Sequence, residues 1–289
     1  MRIQRIAGAV GPQKYRYARP YTPSQSDFAD FGFAARETFL SCTAISLMAI
    51  TMENLNVPLL VLAAAALMWL VEWWAPAFRR PLHLPWVLRA ALLNGAQAAT
   101  AFLGALTWEH WFAHPMAWSG GLATGVGVGY LLITFVYYWW HRARHRVSPL
   151  WRYVHRLHHS PARIEIITSF YKHPIELVLN GILTSALLTG LLGLDAQATA
   201  LTVLITGLAE LFYHWNIRTP RWLGWFFQRP EMHRVHHERG RHTCNFSDLP
   251  LWDALFGTLH NPRGDVPLCG FPDENRLGCL LLGRPVREV

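Results

Sequence analysis

Three stretches decide how this chain is read: His141-Arg-Ala-Arg-His145, His155-Arg-Leu-His158-His159 and, much later, His233-Arg-Val-His236-His237. On a helix, residues at i and i+4, or at i, i+3 and i+4, share one face. His141 and His145 should therefore project together, His155, His158 and His159 form a second face, and His233, His236 and His237 a third. Eight imidazoles in three clusters, with His214 as a ninth, suit a borderline metal that accepts neutral nitrogen. One zinc would need only three or four ligands, so two metals are the economical reading. Ligand type alone leaves Fe, Zn, Cu and Ni open. His83, His110, His114 and His260 read as ordinary polar side chains near an interface, as does His242, although it follows the third cluster closely.

The rest of the chain explains where those imidazoles would meet. Of 289 residues, 52% are hydrophobic and only 15% charged, with 14 Trp and a net charge of +8. Such a basic but apolar chain points to a bilayer rather than to nucleic acid. The four cysteines show no C-x-x-C pairing and read as reduced or buried thiols. Residues 1–37 form a basic arm without the apolar core of a signal peptide, and residues 38–119 hold the first membrane helices. Six apolar segments are expected to cross or dip into the membrane: Thr38–Met52, Val57–Phe78, Trp86–Trp108, Gly120–Trp140, Ile175–Leu194 and Ala196–Tyr213. Glu72, beside Trp73 and Trp74, reads as a side chain snorkelling to the interface. Glycines and small residues after Gly120 favour close helix contact. With a cytoplasmic amino terminus, Arg79, Arg80 and the histidine-bearing segments fall on one side, and the opposite connections carry no Lys or Arg. That bias follows the positive-inside rule. The expected fold is thus an all-α integral membrane protein. Four to six transmembrane or re-entrant helices would be capped by a cytoplasmic, histidine-rich helical lobe. A bacterial-type inner membrane suits it better than the endoplasmic reticulum.

A metal site at a membrane surface suggests chemistry on lipid-like substrates, where an iron–oxygen species is the reagent for unactivated C–H bonds. At this point the chain resembles the fatty acid hydroxylase/sterol desaturase superfamily of integral-membrane non-haem di-iron enzymes. The resemblance rests on the ordered series H-x-x-x-H, H-x-x-H-H, H-x-x-H-H. It extends through Tyr137-Tyr138-Trp139-Trp140-His141-Arg142, Leu150 to Ser160, His173-Pro174-Ile175-Glu176, Phe212-Tyr213-His214-Trp215-Asn216 and Leu251 to Thr258. It implies a catalytic domain over residues 120–260, a tail over 261–289, and an oxygen-dependent hydroxylase or desaturase acting on a lipid. His141, His145, His155, His158, His159, His214, His233, His236 and His237 would be the metal ligands of two Fe ions. His173 would be a ligand or a support for one, and Glu176, Asn216, Asn245 and Asp253 are candidates for orienting imidazoles. One position departs from the pattern: many relatives carry an acid seven residues before the first histidine, where this chain has Thr134.

Neither a haem domain, an iron–sulfur cysteine pattern nor a dinucleotide-binding glycine loop is evident. Electrons are therefore expected from a separate NAD(P)H-linked carrier protein, docked on the basic cytoplasmic face. The competing reading is a non-catalytic metal-binding or metal-transporting membrane protein. Transporters place polar groups near the bilayer midplane, whereas these histidines flank the apolar segments.

Overall fold

The structure, a computed structural model, describes residues 57–108, 110–112, 117–264 and 268–289. The arm 1–37 and the segment Thr38–Met52 lie outside the described residues. Among the described residues the chain is helical, with no strand and one isolated bridge, Glu238 to Cys269. The principal helices are α1 (Val57–Trp74), α2 (Leu84–Leu106), α3 (Leu122–Arg146), α4 (Pro174–Ser185), α5 (Ala196–His214), α6 (Pro230–His236), α7 (Pro250–Leu255) and α8 (Leu277–Leu281). Proline opens α4, α6 and α7, where its missing N–H costs nothing and its φ is already helical. Asp195 caps α5, its Oδ1 accepting from Ala198 N at 2.7 Å.

Among the described residues, three helices are long and apolar enough to cross a membrane: Leu122–Arg146, Pro174–Leu191 and Ala196–His214. The second of these is α4 prolonged by a π-helical stretch, Ala186–Leu191. Apolar residues Leu59–Trp74 make a shorter fourth candidate. Among the described residues this is fewer than the four to six expected, and α2 falls short because Arg89, Asn94, Gln97 and Thr100 dilute it. Asn94 is used for packing: its amide donates to Ile167 O at 2.9 Å.

Helix α3 packs on α5, α1 on α5, and α2 on α4. Small residues permit the first of these contacts. A Cβ at Gly129 would stand 3.0 Å from Leu194 Cδ1 and 3.1 Å from Thr202 Oγ1, whereas one at Gly127 would meet nothing. Gly129→Leu is therefore expected to overpack this seam and cost about 1–3 kcal/mol. Gly127→Leu should be neutral, and thermal melts of the two detergent-solubilised variants would compare them.

Glu72 differs from the expected snorkelling residue. It is buried, and its Oε2 accepts from Ile166 N at 3.0 Å and Asn216 N at 2.9 Å. One carboxylate thus ties the end of α1 to the loops following two of the histidine segments. A backbone N–H buried in apolar surroundings needs such an acceptor, and interfacial water cannot reach these two. The carboxyl ends of α1, α3 and α5 and the amino ends of α2 and α4 meet on one side. There the lobe assembles around Trp86, Leu157, Tyr171, Phe271 and Leu280. The final residues strap across this lobe: Arg156 donates to Arg284 O at 2.9 Å, and Trp151 Nε1 donates to Glu288 Oε2 at 3.1 Å.

Candidate metal centre

All nine histidines singled out above converge, in two sets. His141, His145, His155, His159 and His236 form one, and His158, His214, His233 and His237 the other; within each set the nitrogens lie within 4.8 Å of one another. The sets adjoin through stacked rings of His159 and His237, 4.1 Å apart at 15°. Each H-x-x-H-H stretch is divided. Its outer pair or its middle residue goes to one set and the remainder to the other, and the two stretches divide in opposite senses. The expected single helical face at 155–159 is absent. A π-helical turn, Trp151–His155, ends there, and a tight turn follows with His158 N donating to His155 O at 3.0 Å. That turn sends His158 away from its neighbours.

The far nitrogen of most rings is held by the protein. His141 Nδ1 lies 2.8 Å from Phe246 O, His236 Nδ1 2.8 Å from Cys244 O, and His214 Nδ1 2.9 Å from Glu210 O. His155 Nδ1 lies 3.1 Å from Glu176 Oε1, and His158 Nδ1 3.3 Å from Tyr171 O. An acceptor at Nδ1 fixes the proton there and turns the Nε2 lone pair inward. The consequence is close nitrogen pairs: His141 Nε2 to His155 Nε2 at 2.9 Å, and His214 Nε2 to His233 Nε2 at 3.1 Å. Two lone pairs facing at that distance repel unless a cation lies between them. His145, His159, His233, His236 and His237 also carry buried ring nitrogens with no hydrogen-bond partner among the described residues. Such groups are costly unless satisfied. Neutral imidazole nitrogen, buried and convergent, fits a borderline transition metal in each set.

Burial, then the neighbouring imidazoles, hold the pKa values of His158, His159, His233 and His237 well below the usual range, and burial followed by Arg144 does so for His155. His236 is pushed down to about 3, chiefly by burial. These rings are neutral in the fold but take protons in an unfolded chain as pH falls below about 6.5, so unfolding then binds more protons. Metal-free protein is therefore expected to lose stability on acidification from about pH 7.5 to about pH 5, by roughly 1.4 kcal/mol per histidine per pH unit below 6.5. Chelator-treated samples melted across that range would check the slope.

The supporting residues take distinct places. Glu176, fully buried at the start of α4, contacts His155 and pairs with Arg144. Asp253 accepts from Phe246 N at 2.8 Å and Ser247 N at 2.9 Å, fixing the loop whose carbonyl holds His141. Asn245 sits at φ 57°, a conformation asparagine tolerates. Its amide donates to Met232 O and His260 O, stapling α6 to the following loop. Among the described residues the Asn216 side chain hydrogen-bonds to Phe78 rather than to an imidazole, accepting at Oδ1 and donating from Nδ2. His173 joins neither set. Its Nδ1 accepts from Ile175 N as the cap of α4, and its Nε2 lies 3.0 Å from Leu281 O. Thr134, at the position where many relatives carry an acid, accepts from Trp252 Nε1 at 3.0 Å. The acid on the five-histidine set comes instead from Glu176.

Two residues escaped sequence reasoning. His242, set aside as an ordinary side chain, lies beside the five-histidine set, its ring 4.8 Å from His159 and 4.9 Å from Trp151. Trp151 in turn covers His145 and His159. Proximity of His242 to the third cluster was the available signal.

Residues 126–258 match the family described as fatty acid hydroxylase. Over these residues the chain is similar to the fatty acid hydroxylase/sterol desaturase superfamily. The matched residues include all nine histidines together with Glu176, Asn216, Asn245 and Asp253. The chain is 32% identical over 177 residues to ornithine lipid hydroxylase OlsE of Rhizobium tropici, covering 60% of this chain and 50% of that protein. It is 30% identical over 156 residues to a methylsterol monooxygenase of Aspergillus fumigatus, covering 49% of each. With human alkylglycerol monooxygenase it shares 29% identity over 134 residues, 45% of this chain and 29% of that protein. The chain thus spans half or less of the length of these relatives. No solved structure matches it significantly.

Proposed function

We propose that this chain is a membrane-bound, oxygen-dependent lipid monooxygenase whose nine clustered histidines hold two iron ions. The reaction would hydroxylate a C–H bond of a lipid, with desaturation the alternative outcome at the same centre. One observation carries the reading: nine imidazoles, seven of them buried, divide five and four with lone pairs convergent, at the ends of helices apolar enough to cross a membrane. When bound, iron would supply the activation of dioxygen that unactivated C–H bonds require. The nine histidines would hold the ions. Glu176 and the carbonyls of Phe246, Cys244, Glu210 and Tyr171 would keep the rings aimed. Trp151 and Phe246, packed on the rings of the five-histidine set, would exclude water. His173, Asn216 and Asn245 would act on the fold around the site, and residues 120–260 would be the catalytic domain.

Lipid substrates are named for the relatives above, and the apolar helices beneath the site suit a substrate drawn from the bilayer. A separate NAD(P)H-linked carrier would supply electrons, and exposed Arg146, Arg152, Arg284 and Arg287 offer it a basic face. The distribution of Lys and Arg supports a cytoplasmic site, and a bacterial relative supports a bacterial inner membrane. Metal transport is less well supported, because the histidines stand at helix ends and not midway along them.

The test is expression in a bacterial host under isotopically heavy oxygen, followed by lipid mass spectrometry. Lipids gaining one heavy oxygen atom only when the intact chain is present are expected. A lipid profile identical to that of host cells without the chain would refute the reading.

A further inference from the structure

Two short elements of the lobe show an inverted polarity. In α7 and the residue after it, Asp253 is buried and Trp252 half-buried, while Leu251, Leu255 and Phe256 are exposed. In the 3-10 turn Arg221–Trp225 and the residues following it, Trp222, Phe226 and Phe227 are exposed. The two elements lie against each other, so the six side chains form one apolar and aromatic patch. A soluble lobe would turn such residues inward, and a continuous patch of this kind marks a contact surface.

Its position identifies the contact. Trp252 packs on Phe135 at 5.0 Å, and Phe256 packs on Tyr138 at 5.1 Å and Trp139 at 4.7 Å. These partners precede His141 on α3 by two to six residues, placing α7 about 3 to 9 Å from His141 along the axis, on the membrane side. Phe227 likewise packs on Phe212, two residues before His214, at 6.4 Å. Both elements therefore lie between the histidines and the bilayer. The patch is continuous with the outward apolar face of the spanning helices, where Leu131, Trp139, Ile205 and Leu208 are exposed. Arg142 lies over Tyr138 and Trp139 at the end of the apolar run, a placement that suits contact with phosphate headgroups.

We propose that Trp222, Phe226, Phe227, Leu251, Leu255 and Phe256 form a collar that docks into the lipid bilayer at its interface. The occupant is lipid, as for other aromatic-rich surfaces lying in the interfacial plane. The collar does not depend on which reaction the histidines support. It does bring lipid within two aromatic rings of the five-histidine set, since Tyr138 bridges Phe256 to Phe246, and Phe246 touches His141 and His145.

The test uses the full chain in phospholipid nanodiscs, with Cys42→Ser and Cys279→Ser removing the thiols not shown to be buried. Leu255→Cys and, separately, Phe227→Cys would carry a polarity-sensitive fluorophore, with Arg276→Cys on the exposed tail as control. Blue-shifted emission at both collar positions, quenched by lipids bearing a nitroxide high on the acyl chain, is expected, with the control unaffected. Water-like emission at the collar would overturn the proposal. So would blue-shifted emission that nitroxide lipids leave unquenched, because another protein surface, such as a second copy or another segment of this chain, would then cover the patch.

Discussion

His158→Ala is expected to strip the four-histidine set of its metal and to abolish lipid oxidation. Losing a residue that merely orients a ligand typically costs 10–100-fold in metal affinity or activity, so losing a ligand should cost more than about 100-fold. His158 is buried against His214, His233 and His237, and its carbonyl partner, Tyr171, would remain in place. Metal analysis of purified protein should show occupancy falling from about two ions per chain toward one, because the five-histidine set does not use His158. His83→Ala, at an exposed position outside both sets, should retain both ions. Full metal retention by His158→Ala would refute the assignment of this residue.

Glu176→Leu should damage the protein in two separable ways. The carboxylate is the buried partner of the Arg144 guanidinium, and removing one member of such a pair leaves a charge stranded in apolar surroundings, at a cost of roughly 3–5 kcal/mol. It also holds His155 Nδ1, so its loss should weaken metal binding by the five-histidine set by about 10–100-fold. Adding Arg144→Met removes the stranded charge. The double variant should recover most of the thermal stability while its metal affinity stays low. Recovery of both together would mean that Glu176 acts only on the fold. Recovery of neither would mean that the ion pair is not the source of the instability.

Much of the site was legible before any coordinates, because metal ligation demands particular side chains in clusters and a membrane demands long apolar runs. All nine histidines converge, and two ions remain the economical reading of sets of five and four. Spacing could not reveal how the clusters divide. That depends on the π-helical turn ending at His155, which no periodicity announces, and on where α6 lands across the chain. His173 followed a family motif and precedes a proline, yet the same proline opens α4 and makes the histidine its cap. Glu72 was misjudged for a related reason. A carboxylate beside two tryptophans suggests an interface when only its own helix is considered, and its backbone partners lie 94 and 144 residues away. Asn216 and Asn245 act on distant backbone in the same manner. Local sequence carries ligand chemistry well and long-range hydrogen bonding poorly.

The placement of α6 has a kinetic meaning. His236 completes the five-histidine set, while His233 and His237 supply half of the other, so one short segment is the clasp of both. It is buried along its whole length and pinned through Asn245 and through Glu231, which accepts from Thr219 N at 2.7 Å. If both sets hold ions, their exchange is expected to be coupled. Release of either through this side requires lifting a segment that opens both, so chelation should proceed slowly and remove the pair in a single phase.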